Sequence, residues 1–156
     1  MSVFISYFRA DEQAASAVNS TLKQNNVVTY LDLLDDDLKK AENVTSAILK
    51  GLEDCTHLLA IVSRNTQVSW WVPFEIGVAT RAQRRISTYA LSRILLPDYL
   101  KHWPVLYDDT GLLAFIKRYL QDSSTLEKKG RVYEARASAI QSAATFHRLL
   151  KTDLGQ

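Results

Sequence analysis

The chain has 156 residues, 47% of them hydrophobic and 23% charged, with a formal net charge of +2; this suits one soluble folded unit long enough to bury a core. Lys and Arg are spread along the chain, apart from a modest gathering after residue 117, so charge gives no argument for nucleic acid or a membrane surface as partner. A single cysteine excludes an internal disulfide framework and indicates a reducing, cytoplasmic setting; no run reaches membrane-spanning length, and Met1 to Tyr7 lacks the features of a signal peptide.

Val3 to Tyr7 is short, β-branched and aromatic, and predicts a first strand. Phe8, Arg9 and Ala10 read as a brief loop. Asp11 and Glu12 then open a helix reaching about Asn25, with Ala14, Ala17, Val18, Thr21 and Leu22 on one face. Val27 to Leu31 predicts a second strand closing at Asp32. An irregular charged segment runs from Leu33 to Glu42, and Asn43 suits the N-cap of a helix bearing Val44, Ala47, Ile48, Leu52 and Cys55. His57 to Ser63 is an unbroken apolar run, as expected of a central strand covered on both faces.

A loop from Arg64 to Ser69 leads to a helix with Pro73 in its first turn, continuing through Ile76, Val78, Ala79 and Ala82 to about Arg84. Ile86 to Leu91 predicts a fourth strand, Pro97 to Leu100 a short turn or helix, and Pro104 to Tyr107 a fifth strand. Thr110 suits the cap of a helix carrying Leu112, Leu113, Phe115, Ile116 and Leu120, which a polar break at Gln121 to Ser124 should end. A last amphipathic helix spans about Arg131 to Leu150, suited either to packing on the sheet or to an oligomer surface. Strand and helix alternate at short spacing, which predicts an α/β fold: a parallel sheet of about five strands, helices on both faces, and an extra C-terminal helix. The whole chain reads as one domain, with a core over roughly residues 2 to 121 and the amphipathic helix over roughly 131 to 151.

In such sheets ligands bind beyond the carboxyl ends of the strands, so the loops after Tyr7, Asp32 and Ser63 are the place to look. None of the five glycines follows Tyr7, which excludes a dinucleotide-binding or phosphate-cradling glycine loop there. His57, His102 and His147 show no metal-ligand spacing with one another or with Cys55, which sits on the apolar face of its helix as a small core residue. No nucleophile-elbow motif is present. What converges on the strand ends is Phe8 and Arg9, Asp32 with the acidic run behind it, and Trp70, Trp71 and Glu75. Glu75 lies four residues beyond Trp71, so a helix sets the two beside each other. A carboxylate beside indole rings suits a flat, cationic ligand. Each member also has a plain structural use: Phe8 as a plug of the sheet end, Arg9 as a solvated loop charge, Asp32 as a turn cap, Glu75 as a dipole-friendly helix-start acid, and Trp70 and Trp71 as core residues.

Three of these stretches, taken in order, resemble the Toll/interleukin-1 receptor (TIR) domain family, and within it the short bacterial anti-phage defence proteins of the Thoeris type. Val3-Phe4-Ile5-Ser6-Tyr7 with Arg9 and Asp11 is similar to the family's first box. Val28-Thr29-Tyr30-Leu31-Asp32 with the charged stretch to Glu42 is similar to its second strand and BB loop. Trp71-Val72-Pro73-Phe74-Glu75 is similar to the Trp-x-x-x-Glu motif of its catalytically active members. The resemblance covers roughly residues 2 to 107. Lys40-Ala41-Glu42 stands where the family's BB loop usually carries a glycine, and the last helix matches nothing general in the family.

The resemblance implies a flavodoxin-like fold and, in active members, cleavage of the nicotinamide–ribose bond of NAD to give nicotinamide and a linear, cyclic or transferred ADP-ribose product. It assigns the catalytic role to Glu75 and substrate contacts to Phe8, Arg9, Asp32, Trp70 and Trp71, with NAD as substrate and no separate cofactor or metal. It also implies self-association with other TIR subunits and a downstream effector that senses the product. Two competing expectations are a non-catalytic assembly module working through the BB loop, and a nucleoside-deoxyribosyltransferase-like enzyme with a related fold and a single working carboxylate.

Overall fold

The structure is a computed structural model that describes residues 1–31, 44–128 and 136–156. Among the described residues five strands form one parallel sheet: β1 (Val3–Ser6), β2 (Thr29–Leu31), β3 (His57–Val62), β4 (Arg85–Ala90) and β5 (Val105–Leu106), in the order β2-β1-β3-β4-β5. The helices are α1 (Glu12–Gln24), α2 (Val44–Asp54), α3 (Trp71–Arg81), α4 (Asp109–Lys128) and α5 (Arg136–Leu154), with short 3-10 helices at Arg9–Asp11, Asn65–Val68 and Asp98–His102. This is the expected flavodoxin-like α/β arrangement.

Strand alternation divides the core in two. Phe4, Leu58, Ala60, Val62 and Ile86 pack under α2 and α3 with Ile48, Leu52, Val72, Ile76 and Ala79. Val3, Ile5, Leu59 and Ile61 pack on the other face with Leu22 of α1, Phe115 of α4, and Phe146 and Leu150 of α5. β1 and β3 are buried along their whole length, which explains their unbroken apolar sequence. From β1 the chain steps outward to β2, then crosses back to β3 on β1's other side. The strand order reverses between β1 and β3, and in open α/β sheets ligands bind at the carboxyl ends beside such a switch.

Several boundaries differ from the sequence reading. The loop after β1 is a 3-10 helix, and α1 begins at Glu12. Asp108, not Thr110, caps α4: its Oδ1 accepts the Gly111 N–H at 2.8 Å. The helix then runs through Gln121 to Ser124 to Lys128, because a polar stretch without glycine or proline remains compatible with helix. Asp122 is also turned inward, pairing with the buried Arg85. α3 starts at Trp71, where Ser69 Oγ accepts the Val72 N–H at 3.3 Å. It ends at Arg81, just before Gln83 takes a left-handed φ of 56°. The expected N-cap Asn43, the charged segment Leu33 to Glu42, and the stretch from Arg131 to Ala135 lie outside the described residues.

α5 packs against α4 and β4, and its contact with the sheet is partly polar. His147 Nε2 accepts the Ile86 N–H at 2.8 Å, and the Arg85 guanidinium donates to Ser142 Oγ at 3.0 Å. The Gln156 amide meets β5, its Oε1 accepting the Val105 N–H at 3.0 Å and its Nε2 donating to the Val105 carbonyl. His57 is buried beside Phe115, Tyr119 and Phe146, 2.9 Å from the Thr56 hydroxyl.

Burial holds both imidazoles neutral. It lowers His147 to about 4, assisted by the charges of His102, Arg85 and Lys151, and it takes His57 well below its ordinary value, with Arg85 and the amino terminus adding to the effect. The unfolded chain takes up protons below about 6.5, whereas folded His147 does so only near 4. Stability is therefore complete above about pH 6.5 and is lost as pH falls through that window, by about 1.4 kcal/mol per pH unit for each imidazole. Urea denaturation should give a lower midpoint at pH 5 than at pH 7, and His147→Gln should reduce the difference, with His57 supplying what remains; equal midpoints in the wild type would contradict this account.

Candidate active site at the carboxyl end of the sheet

Helix α3 carries the carboxylate. Successive helical residues turn by about 100°, so Val72, Ile76 and Ala79, all buried, mark the line of α3 that faces the sheet. Pro73 and Glu75 lie on opposite sides of that line. On the Pro73 side α3 borders a cavity of about 350 Å³, shared with Val62, Ile94, Pro97, Tyr99 and Leu100. The Glu75 side therefore faces α2, the helix packed against α3 on the other flank. Glu75 is 1% exposed. A carboxylate taken so far out of water interacts strongly with any charge that develops beside it.

Trp71 precedes Glu75 by one helical turn and stands on the same side of α3. It is 37% exposed and meets Phe74 edge to face, ring centres 5.9 Å apart. Trp71 thus offers a partly open aromatic ring on the Glu75 side of α3. Trp70 does not share this position. It is 88% exposed, and five residues before Glu75 corresponds to about 140° of helical rotation, which points it away. It belongs neither to the core nor to the immediate surroundings of Glu75.

Phe8 is half-buried at the start of the 3-10 helix after β1, and Arg9 is exposed within that helix. Because β1 and β3 are neighbours, both residues stand at the same end of the sheet as the loop that leads to α3. Asp32 lies outside the described residues. The structure therefore brings Glu75 and Trp71 together, sets Phe8 and Arg9 at the same sheet end, and separates Trp70 from them. No cluster of His, Cys, Asp and Glu among the described residues has the form of a metal site.

Two residues at this end escaped the sequence reading. Asp11 looks in sequence like a helix-start acid, yet it joins two loops. Its Oδ2 accepts from Ser63 Oγ at 2.7 Å, and its Oδ1 accepts from the Asn65 side-chain amide at 2.8 Å. Ser63 Oγ in turn accepts the Asn65 N–H at 2.9 Å, and Thr66 Oγ1 accepts the Ser63 N–H at 3.0 Å. The loop after β1 is thereby fixed to the loop that delivers α3. The partners are more than fifty residues apart in sequence, a separation no local pattern signals. The second residue is Ser6, which ends β1 fully buried, its Oγ without a hydrogen-bond partner among the described residues.

Comparison with known proteins agrees with this architecture. A family model described as a TIR domain matches residues 3–124. Among solved structures, the TIR domain of the Toll-related receptor TRR-2 from Hydra magnipapillata is similar at 15% identity and a TM-score of 0.62, covering 80% of this chain and 98% of that one. The 2-deoxyribosyltransferase of Bacillus psychrosaccharolyticus is similar at 9% identity and a TM-score of 0.59, covering 69% and 87%. A metazoan TIR-STING receptor from C. gigas is similar at 17% identity and a TM-score of 0.54, covering 66% of this chain and 36% of the receptor. At these identities the likeness is one of fold. No curated protein matches the chain.

The Asp11 tie yields a direct test. Asp11→Ala leaves the Ser63 and Asn65 donors without their acceptor and should lower stability by about 3 kcal/mol, with Asp11→Asn intermediate. Chemical denaturation reads this, and a change under about 0.5 kcal/mol, the usual size for a surface substitution, would contradict it.

Proposed function

The chain belongs to the TIR domain family, and from that premise we propose that it cleaves the nicotinamide–ribose bond of NAD. The observation that carries this reading is Glu75 itself, a carboxylate 1% exposed beside the half-open Trp71, at the carboxyl end of a doubly covered sheet. A carboxylate held out of water interacts strongly with positive charge that develops beside it.

The nicotinamide of NAD leaves as a neutral ring. The bonding electron pair moves onto the pyridinium nitrogen and cancels its charge, so no acid is needed to protonate the leaving group. One carboxylate then suffices, where glycoside hydrolases ordinarily need two. In this mechanism Glu75 accepts a hydrogen bond from a ribose hydroxyl and stabilises the oxocarbenium charge at the anomeric carbon. Trp71 stacks on the flat base and excludes water, and Phe8 borders the entry. Arg9, exposed and always cationic, meets phosphate or ribose. Attack by water on the anomeric carbon gives ADP-ribose. Attack by a nucleophile of the same molecule gives a cyclic product, and attack by another acceptor gives a transferred one. The product then acts as a signal for a downstream effector in bacterial anti-phage defence, in the cytoplasm, with NAD consumed as substrate.

A second reading, a non-catalytic assembly module, is favoured by one observation. Val68, Trp70 and Leu95 are large apolar side chains left strongly exposed, Leu95 in the lining of the α3 cavity, and exposed apolar surface of this kind marks an interaction site. Trp70→Glu should shift sedimentation toward the monomer if copies of the chain meet there; an unchanged profile removes this support.

Catalysis is tested by incubating the purified protein with NAD, alone and with phage-infected cell extract, and measuring nicotinamide. Glu75→Gln should keep the far-ultraviolet dichroism and lose release by about a hundredfold or more. No release by wild type under either condition, or equal release by the variant, would sink the proposal. Mass spectrometry of the product identifies its form, and deoxynucleosides run in parallel test the related transferase chemistry.

A further inference from the structure

We propose that the Ser6 hydroxyl is a substrate-binding group of the Glu75 site, hydrogen-bonded to a sugar hydroxyl of the bound nucleotide; this rests on the NAD reading above. Side chains alternate along β1. Val3 and Ile5 enter the core under α1, α4 and α5, while Phe4 enters the core under α2 and α3. Ser6 therefore shares the face of Phe4. It is also the last residue of the strand, which sets it at the carboxyl end. Its partner in register is Ala60, whose side chain is a single methyl on the same face.

Glu75 enters this layer from the opposite side. It projects from the flank of α3 that faces α2, and the α2–α3 core includes Phe4 of β1 as its floor. The hydroxyl at the end of β1 and the carboxylate in the second turn of α3 thus approach one layer, one from the floor and one from the roof. A sugar carries adjacent hydroxyls, each able to donate and accept. A serine hydroxyl and a carboxylate together suit that pattern, the hydroxyl acting in either sense and the carboxylate as acceptor.

The burial of the Ser6 hydroxyl has no structural use among the described residues. Its side chain has no exposure, and among the described residues its Oγ has no hydrogen-bond partner, a state that destabilises a fold. Ser87 supplies an internal control. Its Oγ is equally buried and, among the described residues, unpartnered, but its neighbour Ile86 points under α2 and α3, so Ser87 points to the opposite face of the sheet, away from Glu75.

The experiment compares Ser6→Ala, Ser6→Cys and Ser87→Ala with wild type, reading thermal midpoint with and without NAD and the steady-state constants for nicotinamide release. Ser6→Ala should leave the midpoint unchanged or raised, weaken the NAD-induced shift, and raise KM for NAD about tenfold with kcat within about twofold, the effect of one lost neutral hydrogen bond. Ser6→Cys, nearly the same size but a poor donor, should behave alike. Ser87→Ala should keep the wild-type KM. The inference falls if Ser6→Ala keeps the wild-type KM and NAD shift, if Ser87→Ala raises KM equally, or if Ser6→Ala lowers the midpoint by several degrees, which would give its hydroxyl a structural partner. Wild type that neither releases nicotinamide nor shifts with NAD would overturn the NAD reading and this inference together. Wild type that does both, with an indistinguishable Ser6→Ala, overturns this inference alone.

Discussion

A parallel sheet can be joined only by crossovers, and crossovers cover both of its faces. That constraint governs the rest of the molecule. β1 and β3 have no solvent side, so their side chains are committed to one core or the other, and polar groups concentrate where strands begin and end. The two sheet ends are used differently. At the amino end, Arg85, Asp122, Ser142 and His147 bind helices α4 and α5 to the strands. At the carboxyl end, Asp11, Ser63 and Asn65 bind loops to one another, leaving Glu75 and Ser6 buried close by. One end ties helices to strands, and the other ties loop to loop.

The tie between Asp11 and the Ser63–Asn65 turn matters to the site because α3 follows that turn almost at once. A helix delivered by a loose loop would leave its first two turns free to shift, and Glu75 lies in the second. Reactions that depend on a charge held against a developing charge tolerate little displacement. Here the loop after β1 acts as a brace for the helix after β3, and it also carries Phe8 and Arg9.

Much of this was legible in sequence. The strands were readable because a doubly covered strand must be continuously apolar, as His57 to Val62 is. The Trp71–Glu75 spacing was readable because i and i+4 are neighbours on any helix. Errors arose where side-chain chemistry has two uses. Gln121 to Ser124 is polar enough to end a helix, yet nothing in it forbids one, and Asp122 had a buried arginine to meet. Thr110 and Asp108 can each cap a helix, and only geometry decides between them. Trp70 and Trp71 are identical in type, but a helical rotation of about 100° per residue sends one toward the site and the other to solvent. The partners of Asp11 lie across the fold, beyond any local pattern.

Gln156 carries a consequence for assembly. Its side-chain amide offers Val105 both an acceptor and a donor, the same pair of groups that the backbone of an added strand would offer. The β5 edge is thereby capped at the residue where a further strand would begin to pair. An open edge is an invitation to β-augmentation, and on this side the invitation is withdrawn by a single carboxamide. The sheet stays five strands wide at this boundary.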